Sequence, residues 1–410
     1  MRPIRLALLF LACCAVAAIF AGAAYCAITV PSDGSDGALS PTSDITIDLS
    51  QADGAAWNTP APHPGKGVYD VSKWAVVFKY SQVNIPGGVT VTFRNHPSGA
   101  PVVWLVQGSV NISGAVTLNG ANGNATHAPV PSGPGGFRGG AGQTGSSPGM
   151  MGLGPGGGSE NCHGGSYATP GAGGSGPTYG NPAIIPLIGG SGGATGGYDR
   201  DGGGGGGAIL VACGTTLTVN GTVAACGGTD VATSWGGGGS GGAIRLVADS
   251  FAGQTSARLA ATGGGGVYRG GLGRIRIEVN TNAFDGLATP DASTTIPADP
   301  PAIWPGDGAP SIKVTHVGGV AVPSDPRASF SFPNQDVSLT TGTPQQFAVR
   351  LAATNVPVDW AVSVRLMPRY GDDVVAAATL VSGDGQSSVW EAQVTVPTGF
   401  SAIQARATKL

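Results

Sequence analysis

Charge is scarce in this chain: 10% of its 410 residues are Asp, Glu, Lys or Arg, against about 25% in an average soluble domain. No lysine lies between Lys79 and Lys313, and the formal net charge is −3. Nucleic-acid binding needs a basic stripe that neutralises phosphates, so that partner class is excluded. Aromatic residues make up only 6%, and no repeated stretch shows the 3.6-residue apolar period of an amphipathic helix. Long hydrophobic runs are missing too, with one exception at the start of the chain. Arg2 and Arg5 precede the apolar run Leu6 to Phe20, and the small residues Ala21-Gly22-Ala23 follow. A positive flank, a short apolar segment and a small-residue cleavage site make residues 1–23 a secretory signal peptide. A membrane anchor fits less well, because the run is short and no stop-transfer pattern follows. A lipoprotein signal around Leu11-Ala12-Cys13 has too short an apolar stretch before its cysteine. The expectation is export, to the extracellular space or the cell surface, with no transmembrane segment left after signal removal.

Cysteines number six, and four remain if Cys13 and Cys14 leave with the signal. Four in so long a chain are no disulfide scaffold, and they allow three pairings. An oxidising compartment permits bridges. Cys213 and Cys226 flank one two-strand unit and are the first pair to consider, with two buried free thiols as the alternative.

What the chain has in excess is glycine, 73 residues. The run "DGGGGGGAILVACGTTLTVNGTVAACGG", Asp201 to Gly228, raises the question of what it is for. A phosphate-binding loop needs Lys and then Ser or Thr after its last glycine, and a dinucleotide fingerprint needs a helix there. Ala208-Ile209 follow instead, with period-two alternation. A flexible linker carries no repeated apolar grammar, yet here the grammar recurs. Ala208–Gly228 aligns without gaps on Pro101–Ala121, so that Leu217-Val219-Val223-Ala225 falls on Val110-Ile112-Val116-Leu118. "GGAIRLVADSFAGQTSARLAATGG" and "GRIRIEV" begin further copies. Such units, strand–turn–strand, are the mark of stacked repeats that cannot bury their apolar faces alone. The fold class expected is all-β: a right-handed parallel β-helix, or solenoid, over residues 24–287, with glycines at corners and close approaches.

The segment 124–207 is a glycine-rich insertion. Its composition fits either disorder or extended, polyproline-II-like segments bonded backbone to backbone. Residues 288–310 read as a Pro-rich linker. Residues 311–410 hold short alternating strands separated by turn residues, which suggests a small immunoglobulin-like β-sandwich with Trp360 and Trp390 in its core.

Chemistry-bearing residues are sparse. Asp199 and Asp201, in "GGYDRDGG", are the one close pair of acids in the glycine-rich region. They could face the same way as a hydrolytic pair or as half of a calcium site, although a solvated turn accounts for them more simply. "SENCHGG" brings Glu160, Cys162 and His163 together, but without a second ligand pair at zinc spacing. Gly189–Gly193 has the form G-x-S-x-G around Ser191. A nucleophile elbow needs a helix after the serine, and the same pattern recurs at Gly238–Gly242, so composition explains it. Thr90/Thr92 and Thr216/Thr218 suggest hydroxyl arrays, but they do not recur at the positions assigned to Arg245 and Arg276. No catalytic constellation and no cofactor site beyond the weak calcium reading emerges.

The stretches "VPSDGSDGALSPTSDITIDLSQ", "VNIPGGVTVTF", "VVWLVQGSVNISGAVTLNGANG" and the glycine-run series resemble secreted, glycine-rich bacterial proteins with the look of right-handed parallel β-helices. The segment "QQFAVRLAATNVPVDWAVSVRLMPRYG" resembles the small β-sandwich that closes such proteins. The resemblance implies architecture and little about activity. The function expected is a non-enzymatic structural or adhesive protein of the cell surface or extracellular space. The alternative is a β-helix that binds or degrades polysaccharide, with Tyr198, Trp235 and Tyr268 as glycan contacts.

Overall fold

Short runs of alternating Val, Ile, Leu and Thr between glycines favour strands, because β-branched side chains pack on a pleated surface and glycine weakens a strand interior. The computed structural model describes residues 28–142, 149–159, 162–174, 176–195, 200–230, 236–340 and 342–409. The signal segment 1–23 lies outside them. Among the described residues the one helical element is a 3-10 turn at Leu49–Gln51.

The first strands are β1 (Gly37–Leu39), β2 (Ile45–Asp48), β3 (Asp53–Gly54), β4 (Val68–Asp70), β5 (Ala75–Ile85) and β6 (Thr90–Arg94). Then come β7 (Val102–Val106), β8 (Val110–Ile112), β9 (Ala115–Thr117), β10 (Ala208–Cys213), β11 (Thr216–Val219) and β12 (Thr222–Ala224). The series continues with β13 (Ala243–Gly253), β14 (Arg258–Ala260), β15 (Arg274–Phe284), β16 (Leu287–Thr289) and β17 (Ser293–Thr295). Repeat offsets in the sequence are hydrogen-bonding registers here. Leu217 pairs with Val110, Val223 with Val116, Ala208 with Ala243 and Ala243 with Arg274, all parallel.

These pairings do not give the right-handed parallel β-helix expected from the repeats. β5 and β13 run for 11 residues each. β5 pairs with β7 and then with β8 along its length, and β13 does the same with β10 and β11. The pairs β7–β10 and β8–β11 complete the circuit. By connectivity this is a closed six-stranded parallel β-barrel, β5-β7-β10-β13-β11-β8. β15 and β17 continue the sheet beyond β13, and β4 joins β5 antiparallel. Strand length is the reason: a strand that spans two short ones lets the ladder return on itself instead of running open. The family resemblance rested on the solenoid and is corrected with it. A second sheet, β16-β14-β12-β9-β6-β2, is parallel throughout. Phe78, Tyr80, Trp104, Val211, Phe251 and their neighbours form the main core with the inner side chains of that sheet. The alternate residues of the barrel strands, such as Val77, Leu105 and Leu210, are covered by Tyr167, Ile184 and Leu187. The stretch 288–310 packs on the parallel region: β17 pairs with β15, and Ile303 is buried.

The C-terminal strands are β18 (Ser311–Val317), β19 (Val320–Ala321), β20 (Gln345–Thr354), β21 (Ala361–Pro368), β22 (Val374–Ala377), β23 (Thr379–Gly383), β24 (Ser387–Val396) and β25 (Ser401–Thr408). They form the antiparallel sheets β19-β18-β20-β24-β23 and β22-β21-β25. The strands divide five and three, not four and three as in a constant-type immunoglobulin sandwich, so the immunoglobulin-like assignment reduces to antiparallel sheets. Buried Trp390 and half-buried Trp360 both belong to their shared core.

Between the parallel sheets and the C-terminal sheets the glycine-rich chain is ordered wherever it is described. Consecutive amides of Gly202 to Gly207 donate in a cycle of three. Gly202 and Gly205 donate to the carbonyls of Gly140 and Phe137, Gly203 and Gly206 to Gly237 and Ser240, and Gly204 and Gly207 to Ala121 and Leu118. Residues 237–242 repeat the cycle towards Ala194/Ser191, Tyr268/Gly271 and Gly228/Ala225. A period of three with every bond leaving the segment is the signature of polyproline-II geometry, which has three residues per turn and no internal hydrogen bonds. Spacing this tight excludes side chains. A Cβ on Gly204 would stand 2.1 Å from the Pro131 carbonyl oxygen, and one on Gly242 would stand 1.8 Å from that of Gly207.

Gly204→Ala is expected to destabilise the protein by about 1–3 kcal/mol or more through overpacking. Gly306→Ala, where a Cβ meets nothing within 4 Å, should stay within about 0.5 kcal/mol of the parent. Thermal unfolding of the two variants side by side checks this, and equal midpoints would contradict the close-packed glycine array.

Candidate functional site

A chain with little charge must account for each buried ionic group, since an unpaired one costs several kcal/mol. Asp201 is fully buried. Its Oδ1 accepts from the Gly142 amide at 2.5 Å, and its Oδ2 from the Thr126 amide and hydroxyl at 3.1 and 3.0 Å. Both oxygens thus tie the ends of the glycine segments together. Asp199 lies outside the described residues. Asp36 accepts the amides of Gly65, Gly67 and Lys79; burial raises its carboxyl above the ordinary value against the pull of those bonds. Lys79 is 2% exposed, and its Nζ donates to Asp33 Oδ2 at 3.1 Å and to the Thr59 carbonyl. Glu278 Oε1 accepts from Arg245 Nε at 2.8 Å and Arg276 Nε at 2.7 Å. Burial alone would raise the Glu278 carboxyl, but the two guanidinium groups outweigh it and hold it below its ordinary value.

The remaining sequence candidates are dispersed or committed to structure. Ser191 is fully buried; its Oγ accepts from the Gly156 amide and donates to Tyr179 Oη, both at 3.0 Å. Its amide donates to Ser240 Oγ at 2.8 Å. The two G-x-S-x-G patterns therefore sit on neighbouring glycine segments, where their serines bond to each other. Cys162 has φ +76, is 4% exposed, and its thiol is raised mainly by burial, with help from the charge of Asp230. His163 meets the edge of Tyr268 at a ring distance of 5.5 Å. Glu160 lies outside the described residues, and among those described no group of three or more His, Cys, Asp or Glu converges as metal ligands. Of the proposed glycan contacts, Tyr198 and Trp235 lie outside the described residues, and Tyr268 is half-buried beside His163. Cys213 and Cys226 are free thiols, not the bridge considered from sequence. Cys213 ends β10 inside the main core, and burial pushes its thiol up to about 12. Cys226 follows β12 in the other sheet and accepts from Thr262 Oγ1 at 3.3 Å.

A feature missed in the sequence lies on the outer side of the six-stranded parallel sheet. There the register stacks Thr46, Thr92, Thr117, Ala224, Ala260 and Thr289 in one column. A second column holds Thr90, Ala115, Thr222, Arg258 and Leu287. The intervening Val91, Val116, Val223 and Leu259 point into the main core, so the columns face away from it. Thr46 and Thr92 share a hydrogen bond at 2.8 Å. The sequence comparison with Arg245 and Arg276 was out of register. Those arginines stack on Leu210, whereas Thr216 and Thr218 stack on Ser250 and Ala252. The usable signal was the T-x-T at Thr90–Thr92, with Thr46 and Thr117 at matching places. Neighbouring columns and strands give a sheet face of hydroxyls and methyls with Arg258 and, at one edge, the Asp48–Arg94 ion pair, with strands about 4.8 Å apart.

A scan of protein-family models, a search of curated proteins and a search of solved structures each return no match to this chain. The family resemblance drawn from sequence finds no support there.

Two outcomes are expected. In the native protein a thiol reagent labels Cys226 and leaves Cys213 and Cys162 unmodified until denaturant is added; mass spectrometry of the peptides checks this. For Glu278 the folded state favours ionisation, so its contribution is full above the ordinary value of 4.5 and is lost as pH falls through the lower folded value. Glu278→Gln should cost about 3–5 kcal/mol at neutral pH and flatten the acid limb of the stability curve, as measured by urea titrations from pH 3 to 7.

Proposed function

We propose that the protein is an exported, non-enzymatic structural or adhesive element of the cell surface or extracellular space, acting by surface contact. The observation that carries the reading is the outer face of the six-stranded parallel sheet. Registered columns of threonine and alanine form a repetitive face held by a close-packed glycine array and a continuous core, so contact costs little ordering entropy. The buried carboxylates are consistent with this: Asp36, Asp201 and Glu278 are spent on backbone amides, a hydroxyl and arginines, which is structural employment. The N-terminal pattern of residues 1–23 supports export.

A second reading, recognition or degradation of polysaccharide, draws on Tyr268, whose half-buried ring beside His163 could stack on a sugar. Co-sedimentation of the mature chain with insoluble polysaccharides and with whole cells tests both. Thr117→Lys with Thr222→Lys should reduce sedimentation at least tenfold without moving the thermal midpoint, while Tyr268→Ala leaves it unchanged. Release of soluble reducing ends from the polysaccharides, or sedimentation indifferent to the lysines, would overturn the first reading.

A further inference from the structure

The C-terminal sheets carry different surfaces on their two sides. On one side a single segment, Val374–Gly383, forms β22 at the margin of one sheet and β23 at the margin of the other. Ala378 alone separates the two strands, and its amide donates to the Val362 carbonyl. The segment has no charged residue and no proline, and all of β23 is exposed. Val374, Val375, Leu380 and Val381 are between 42 and 65% exposed. Among the described residues β22 and β23 each bond one strand, so this apolar margin also offers unpaired backbone. Soluble proteins blunt such margins with charge, proline, bulges or a covering loop. Here the one such device is a bulge between Leu380 and Ser382, and it leaves the aliphatic side chains in water, the mark of a contact site.

On the opposite side, where β25 faces β18, lies a cleft of about 990 Å³. Ile312 and Val314 of β18 and Ile403 and Ala405 of β25 line it, each partly buried against the C-terminal core. Among the described residues β25 bonds one strand, β21, and β19 covers β18 only at His316 and Val317. Lys313 and Arg406, both exposed, are the charged residues of these two strands. The exposed charges flanking the apolar margin are instead the acids Asp372 and Asp384. Asp336, the acid in the cleft lining, is committed to the amides of Arg327 and Ala328 at 2.7 Å each.

We propose that the protein assembles head to tail, with the Val374–Gly383 margin of one copy seated in the cleft of the next and β23 lying along the free edge of β25. Three matches select a second copy as the occupant. Aliphatic side chains stand in water on one side and line a cleft on the other, each side has an unpaired strand edge, and acids on one meet bases on the other. Strand addition of this kind draws its affinity from main-chain hydrogen bonds and its selectivity from the side chains that enter the cleft. Because the two surfaces differ, the contact is heterologous and each copy keeps one free end, which builds open chains. The threonine face takes no part and is repeated on every copy.

Analytical ultracentrifugation of the full mature chain reads the assembly. The mass should rise with concentration across about 1–100 μM, the range of a contact of modest area. Val375→Lys with Val381→Lys, both at exposed positions, charges the margin and leaves the cleft intact. Ala405→Trp fills the cleft and leaves the margin intact. Each of these two variants alone should stay at the mass of one chain, and their equimolar mixture should give a pair of twice that mass and nothing larger. Thr117→Lys with Thr222→Lys, on the threonine face, should assemble as the parent does, so failure of the adhesive reading and failure of this one are told apart. A parent protein that keeps the mass of one chain throughout, a blocked variant that assembles by itself, a mixture that forms no pair, or assembly lost with the threonine-face lysines would each overturn the proposal. The measurement on the parent protein needs no variant to fold.

Discussion

Backbone hydrogen bonding without side chains is the constraint on which this molecule depends. A peptide group carries one donor and one acceptor that must be paired when buried. In a sheet the pairing runs to two neighbours in one plane, and side chains separate the layers by about 10 Å. Where the side chain is a hydrogen, the layers can approach until backbone touches backbone, and the amides of Gly202 to Gly207 turn in succession to three different partners. The array is thus three-dimensional where a sheet is two-dimensional. Its cohesion comes from saturated hydrogen bonds and close contact, not from apolar side-chain burial. The entropy lost by so many glycines is large, so the array needs the parallel sheets, with their continuous aliphatic core, to order it from one side.

The parallel sheets and the glycine array are covalently the same segments. Ala208 continues directly from Gly207 into β10, and Ala243 from Gly242 into β13. The strand register set by Val, Ile and Leu therefore extends back into the array that immediately precedes each strand, with Ala243 donating to the Gly207 carbonyl. On the far side Met150 and Leu153 of the glycine-rich chain pack with Met367 and Ala402 of the C-terminal sheets, and Tyr69 Oη donates to Asp325 at 2.6 Å. These contacts hold the antiparallel sheets against the rest and place Phe137 at the wall of the C-terminal cleft.

Electrostatics plays a local part. With so few charges, each buried one is a fastening. Asp36 and Asp201 gather loop amides, and Glu278 neutralises arginines that adjacent strands bring side by side. Tyr268 packs on His163 beside the glycine segments, and the threonine columns lie on the outer sheet face, so that surfaces of different character share one frame.

Sequence alone determined the strands and their neighbours. The spacings from Val110 to Leu217, Ala208 to Ala243 and Ala243 to Arg274 are visible as repeats because matched apolar side chains must lie beside one another in a parallel sheet. It also marked the glycine segments as able to bond backbone to backbone, and the tryptophans as core. Only the tertiary structure decided that the ladder closes through the long strands β5 and β13, since strand length relative to its partners is a property of the assembled sheet. It alone buried Asp201 and Cys213, separated Cys213 from Cys226, moved Arg245 into register with Leu210, and lined up Thr46, Thr92 and Thr117. Those outcomes depend on which segments meet across 25 to more than 100 residues of chain, and local pattern carries no information about a partner that far away unless the partner repeats the same pattern.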